Sequence, residues 1–179
     1  MKLEKLPRLI YAPADIRKVV ALLWGRRDDP HAEAALLHVL LGAFAGLRPF
    51  EVDHFDWEAI DFDKRQIRLM APVVKRGRVI PIQENLLSFL IHFKGRQGLV
   101  VTQRLVPSLL RGYWKEAGVK PISRGLRVSY GAYRLMKSPT EAVVVQREMG
   151  MTPRRYEKQI RRLCTPAAAT RYWRIYPSR

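Results

Sequence analysis

A single cysteine, Cys164, stands in a chain of 179 residues, so no internal disulfide can form. No cluster of metal-ligating residues surrounds it in sequence, and such sparing use of cysteine points to a reducing cytoplasm. No apolar run reaches the roughly 18 residues that a membrane-crossing helix needs, so no such helix is expected. The first residues, Met1-Lys2-Leu3-Glu4-Lys5, lack an apolar stretch, and no secretory signal is expected. Internal repeats, low-complexity tracts and linkers are also missing. With 47% hydrophobic residues the chain can bury one substantial core, and a single domain over 1–179 is the expectation.

Acidic residues are scarce. Lysine and arginine number 33 against 16 aspartates and glutamates, a net charge of +17. The imbalance is local: residues 1–60 carry 8 basic and 9 acidic side chains, whereas residues 111–179 carry 16 and 4. A solvated surface does not require this, because interspersed signs keep a protein soluble. A polyanionic partner does, and nucleic acid is the commonest one. DNA-binding and RNA-binding proteins share such a composition, so charge defines a class of partner and no mechanism.

Periodicity divides the chain into helices with one β-rich interlude. Residues 13–24 place Ile16, Val19, Val20 and Leu23 at helical spacing, with Asp15 able to cap the start. Residues 31–44 form a nearly all-apolar helix, expected at the centre of the core and ended by Gly46. A short helix is expected over 48–56. The spacing then alternates, and Gln66–Leu69, Pro72–Val74 and Arg78–Ile82 are expected to form a three-stranded antiparallel sheet, with Lys75-Arg76-Gly77 as the tight turn between the last two. Further helices are expected over 85–93, 106–117 (interrupted at Gly112), 127–135, 140–149, 153–163 and 166–176, with breaks at Ser138-Pro139 and starts at Pro153 and Pro166.

Two arginine-centred phrases stand out. The first is Ala45-Gly46-Leu47-Arg48-Pro49-Phe50-Glu51-Val52, running on through Asp56-Trp57-Glu58-Ala59-Ile60-Asp61. The second is Gly125-Leu126-Arg127-Val128-Ser129-Tyr130-Gly131-Ala132. They resemble the two arginine boxes of the tyrosine recombinases (phage integrases), and the likeness to that family's catalytic domain extends over residues 13–177. Val145 to Pro153, Arg161 to Pro166 and Arg171 to Ile175 resemble the closing phrase of one integrase subgroup. The resemblance implies a mainly helical catalytic domain with a small three-stranded sheet. It also implies strand exchange on duplex DNA through a phosphotyrosine, with no metal and no cofactor. In that chemistry two arginines neutralise the phosphate oxygens, a hairpin lysine and histidines move protons, and a tyrosine attacks phosphorus.

Arg48 and Arg127 fall on the two arginine positions, and Glu51 on the acidic residue that buttresses the first. The other matches depart from the family. Arg124 replaces one histidine, Val128 the next and Met151 the third, and none of the four histidines lies in a motif position. Read without a gap, the nucleophile position holds Ile160, preceded by Gln159. Lys75 sits at the hairpin turn, although counting back from Pro81 puts Val73 on the lysine position. Tyr156, one helical turn before Ile160, and Tyr172 are the candidate substitutes for the nucleophile.

Isoleucine cannot attack phosphorus and methionine cannot shuttle a proton. The leading expectation is therefore a DNA-binding pseudo-recombinase. It would hold phosphates through Arg48, Arg124, Arg127, Lys75, Arg76, Arg154, Arg155, Arg161 and the basic helices at 147–162. It would reside in the cytoplasm on the nucleoid, and it would act on recombination by occupying sites or pairing with an active enzyme. Under the resemblance the chain is expected to start at the catalytic domain, without the family's N-terminal clamp domain. Either it is truncated or it works as a half-clamp, and without the second half binding is expected to be weaker and steeply salt-dependent. Two alternatives stand beside it: an active recombinase using Tyr156 or Tyr172 with Lys75 as general acid, and a structural RNA-binding protein.

Overall fold

A computed structural model describes residues 9–103, 107–160 and 163–178, with 107, 155 and 157–159 described by their backbone alone. The first helix, α1 (Pro13–Trp24), starts at a proline that has no N–H to leave unbonded. Its preceding residue, Ala12, has no side-chain acceptor. Asp15 supplies the cap instead, reaching back from the first turn to the Ala12 N–H at 3.3 Å. Helix α2 (Pro30–Phe44) is capped by Asp29, whose carboxylate accepts from the N–H groups of His31 and Ala32 at 2.7 and 3.0 Å. Ala32 and every residue from Ala34 to Phe44 are buried, so α2 is the central rod of the core. Burying each of its leucines stabilises the fold by about 1.5–3 kcal/mol.

Gly46 ends α2 with φ +67°, a conformation that other residues adopt only at a cost. A Cβ there would also lie 2.5 Å from the Tyr130 ring, so the position admits no side chain. The chain continues into α3 (Pro49–Val52), shorter than the helix expected over 48–56 because Phe55 and Trp57 turn inward to the core just beyond it.

The sheet is three-stranded and antiparallel, in the order β1 (Ile60–Asp61), β2 (Gln66–Leu69), β3 (Arg78–Pro81). Its composition differs from the expectation. Residues 72–74 form turns and no strand, and Ile60–Asp61 is the third member instead. Pro72 has no N–H to offer a ladder, and the Val74 N–H closes back on the Met70 carbonyl at 3.2 Å. The β2–β3 connection is thus the loop 70–77, not a tight turn at 75–77, and Gly77 does not take the left-handed conformation. Partners across the ladder share a face, so Ile67 with Ile80, and Leu69 with Arg78, point the same way. That face is the buried one.

Helices α4 (Glu84–Leu90) and α5 (Pro107–Glu116) flank α2 and α1 respectively; Gly112 lies inside α5 and does not interrupt it, and Val106 lies outside the described residues. Helix α6 (Gly125–Lys137) crosses α2, and α7 (Ala142–Glu148), α8 (Pro153–Ile160) and α9 (Pro166–Trp173) pack around it. Tyr130, Ala132, Val145, Met149, Tyr156 and Ile160 make a second apolar cluster between α6, α7 and α8. No helix among the described residues is long and apolar enough to cross a membrane.

Candidate functional site

Three arginines from distant parts of the chain meet at the C-terminal end of α7. Arg78 donates from Nε to the Glu148 carbonyl at 2.9 Å. Arg127 donates from Nη2 to the Met149 carbonyl, and from Nη1 to the carbonyl of Gly46. Arg48 donates from Nη2 to the Gly150 carbonyl at 3.3 Å. The carbonyls at a helix end have no partner within the helix and carry the negative pole of its dipole, so guanidinium groups suit them. Gly150, at φ +55°, turns the chain so that its own carbonyl joins the other two.

One buried carboxylate ties this cluster together. Glu51 accepts from Arg48 Nη1 at 2.5 Å and from the Arg48 N–H at 2.8 Å, and from Arg78 Nη2 at 2.7 Å. Burial alone would raise the Glu51 pKa. The hydrogen bonds and charges of Arg78 and Arg48 outweigh it and hold the group below the usual carboxylate range. Arg127 is displaced in the opposite sense: burial first, then the positive charges of Arg48 and Arg78, push its pKa well down. Three cations around one carboxylate leave a surplus of positive charge.

Beside the cluster lies an open cleft of ≈ 1120 Å³ between the 73–81 segment and α7. Arg48, Lys75, Arg76, Arg78 and Arg147 bring cations to its walls, and Phe50, Val79 and Val144 bring exposed apolar surface. A second buried network lies at its edge. Glu148 accepts from the Tyr130 hydroxyl at 2.7 Å and from Arg134 Nη2 at 3.2 Å, and Arg134 also donates to Glu141 at 2.8 Å. Tyr130 is thereby held far from ionisation, by burial first and then by the neighbouring Glu148 charge.

Arg48 and Arg127 both reach the turn after α7, but they are placed differently. Arg48 is half exposed and lines the cleft, whereas Arg127 lies behind the turn with its terminal nitrogens on backbone carbonyls. Lys75 and Arg76 line the cleft from the exposed loop, and Val73 stands beside them. Arg124 caps α6 in the left-handed conformation, exposed and away from the cleft lining. Arg154 is exposed on α8; the side chain of Arg155, Gln159 and the whole of Arg161 lie outside the described residues.

Met151 lines the cleft, and Val128 packs against the second apolar cluster. Ile160 and Tyr156 are both buried in that cluster. Tyr172 is fully buried in the main core, stacked on Tyr133 with ring centroids 4.0 Å apart, and its hydroxyl donates to the Ala43 carbonyl. Burial drives the Tyr172 pKa far up. A phenol so enclosed presents no nucleophile to the cleft.

Arg78, Glu148 and Arg134 escaped the reading of the sequence. Arg78 was legible in principle: two residues before the apolar Ile80 on a strand, it must share Ile80's inward face. Glu148 and Arg134 gave no signal, since polar residues on amphipathic helices ordinarily face water. No protein-family model matches the chain, and no curated protein sequence matches it.

Proposed function

We propose that the chain has the tyrosine-recombinase catalytic fold and binds duplex DNA through its phosphates without cleaving the strands, acting on recombination by occupying sites or pairing with an active enzyme on the nucleoid. What carries the reading is the convergence of Arg48, Arg78 and Arg127 on one turn around one carboxylate, with Arg48 open to the cleft. That surplus charge suits a phosphate, which accepts charge-assisted hydrogen bonds from a guanidinium fork. The enclosure of Tyr156, Ile160 and Tyr172 favours binding over cleavage. Lys75, Arg76 and Arg147, with a basic C-terminal third, extend the contact along a phosphate backbone.

The test is a fluorescence-anisotropy titration of a labelled duplex across a salt series. Affinity falls linearly with salt on logarithmic axes, and Arg48→Ala weakens binding and reduces the slope by about one. A nicked duplex that traps phosphotyrosine adducts is expected to give none. An adduct lost on Tyr156→Phe or Tyr172→Phe identifies an active recombinase instead. Equal or tighter binding of a folded RNA identifies an RNA-binding protein.

A further inference from the structure

We infer that the cleft between the 73–81 segment and α7 is a seat for single-stranded DNA, with Phe50 as the stacking platform for a base. The inference rests on the phosphate-binding reading above and adds which form of DNA enters the cleft. Phe50 lies two residues after Arg48 within the first arginine box, and 59% of it is exposed, the most of any cleft-lining aromatic or aliphatic side chain. It does not hang loose. Its ring stacks on His54 with centroids 4.2 Å apart and planes 26° from parallel, and His54 Nδ1 lies 2.8 Å from the Phe50 carbonyl oxygen. One face is thus backed by an imidazole, and the exposure belongs to the rest of the ring. A braced, half-open aromatic ring is what a nucleobase stacks on, with little ordering cost left on binding.

The surroundings fit the same occupant. Val79 and Val144, 51% and 45% exposed, give the cleft further apolar surface, while Arg48, Lys75, Arg76 and Arg147 give it positive charge. Apolar faces for bases interleaved with cations for phosphates are the recurring make-up of single-strand grooves. Size points the same way. At ≈ 1120 Å³ the open cleft has room for a few unpaired nucleotides. A duplex keeps its bases stacked on one another, so a base that lies on the Phe50 ring is an unpaired one.

The experiment compares a labelled oligothymidine strand, a blunt hairpin duplex, an oligouridine strand and an acidic, apolar-rich peptide, on wild-type protein and on Phe50→Ala and Phe50→Trp variants. Because Phe50 is exposed, both variants are expected to fold, which circular dichroism checks. Phe50→Ala is expected to weaken the oligothymidine strand roughly tenfold and the duplex by less than about twofold, with Phe50→Trp restoring the loss. Unchanged oligothymidine affinity in Phe50→Ala, with Arg48→Ala still impairing the duplex, overturns this proposal and leaves the duplex reading standing. Binding of neither nucleic acid overturns both. Preference for the oligouridine strand makes the seat one for RNA, and Phe50-dependent binding of the peptide alone makes it a protein-docking site; either result overturns the proposal.

Discussion

Glu51 and Arg78 form a buried ion pair, 2.7 Å from Oε2 to Nη2, with more than nine-tenths of each side chain covered. The Arg78 Nε is bonded to the Glu148 carbonyl, so the pair joins the first arginine box, the hairpin and the end of α7. Removing Glu51 leaves Arg78 as an uncompensated buried charge, which costs about 3–5 kcal/mol. Glu51→Ala is therefore expected to lower the unfolding free energy in urea by about 3 kcal/mol or more. The Glu51→Gln, Arg78→Met double variant is expected to lose less than the sum of its single substitutions. Strict additivity would show that the two residues do not act as a pair.

The same carboxylate sets an acid limb of stability. Its pKa is lower in the folded protein than in the unfolded chain, because the bonds from Arg78 and Arg48 outweigh the effect of burial. The unfolded state therefore binds the proton more readily over that interval. The contribution is complete above the unfolded carboxylate pKa and is lost as pH falls through the depressed folded value. Urea midpoints measured from neutral to acid pH should fall steeply in wild type and less steeply in Glu51→Gln. Equal slopes would remove Glu51 from the account.

Arg48, Arg78 and Arg127 crowd one another, and Arg127 registers the repulsion as a lowered pKa that burial begins and its two neighbours extend. A bound dianion relieves that repulsion and stabilises the folded state by mass action, by about 1.4 kcal/mol at ten times its Kd. For a chain of this size the gain amounts to roughly 3–5 °C in Tm. Phosphate at constant ionic strength is expected to raise Tm by that amount in wild type and by much less in Arg48→Ala. A rise of equal size in both proteins would be a general salt effect at the protein surface.

How much of this was legible before the structure divides along physical lines. Helices α1 and α2 were readable because capping residues and apolar spacing are local signals, and Gly46 marked the end of α2 through a conformation that glycine alone adopts cheaply. That Arg48 and Arg127 serve one phosphate site is an expectation drawn from the resemblance of two short phrases. The hairpin was misjudged because Pro72-Val73-Val74 has strand-like side chains, while the missing Pro72 N–H decides against a ladder. The Tyr130–Glu148–Arg134 network could not be read at all. Its members lie on two helices whose crossing is a tertiary fact, and a buried glutamate looks in sequence like a solvated one.

That network fixes the end of α7, and with it the three carbonyls that hold the arginines. Glu148 is buried and divides its oxygens between Tyr130 at 2.7 Å and Arg134 at 3.2 Å, while Arg134's second carboxylate among the described residues, Glu141, is half exposed. Glu148→Ala leaves a cavity and leaves the Arg134 guanidinium with only the half-exposed Glu141 among its described carboxylate partners, and a loss of about 3 kcal/mol is expected. Glu148→Gln keeps the shape but loses the charge and replaces one accepting oxygen with a donating amide, and a loss of about 1–2 kcal/mol is expected, since bonds to charged groups are stronger than neutral ones. Tyr130→Phe removes one bond and should fall in the same range as Glu148→Gln. Urea unfolding measures all three. Glu148 touches the cleft only at its edge, so a reduced phosphate-induced Tm gain in Glu148→Gln would reflect displacement of the carbonyls that position Arg48, Arg78 and Arg127. An undiminished gain, with stability lost as predicted, would mean that the arginines hold their places without the helix end.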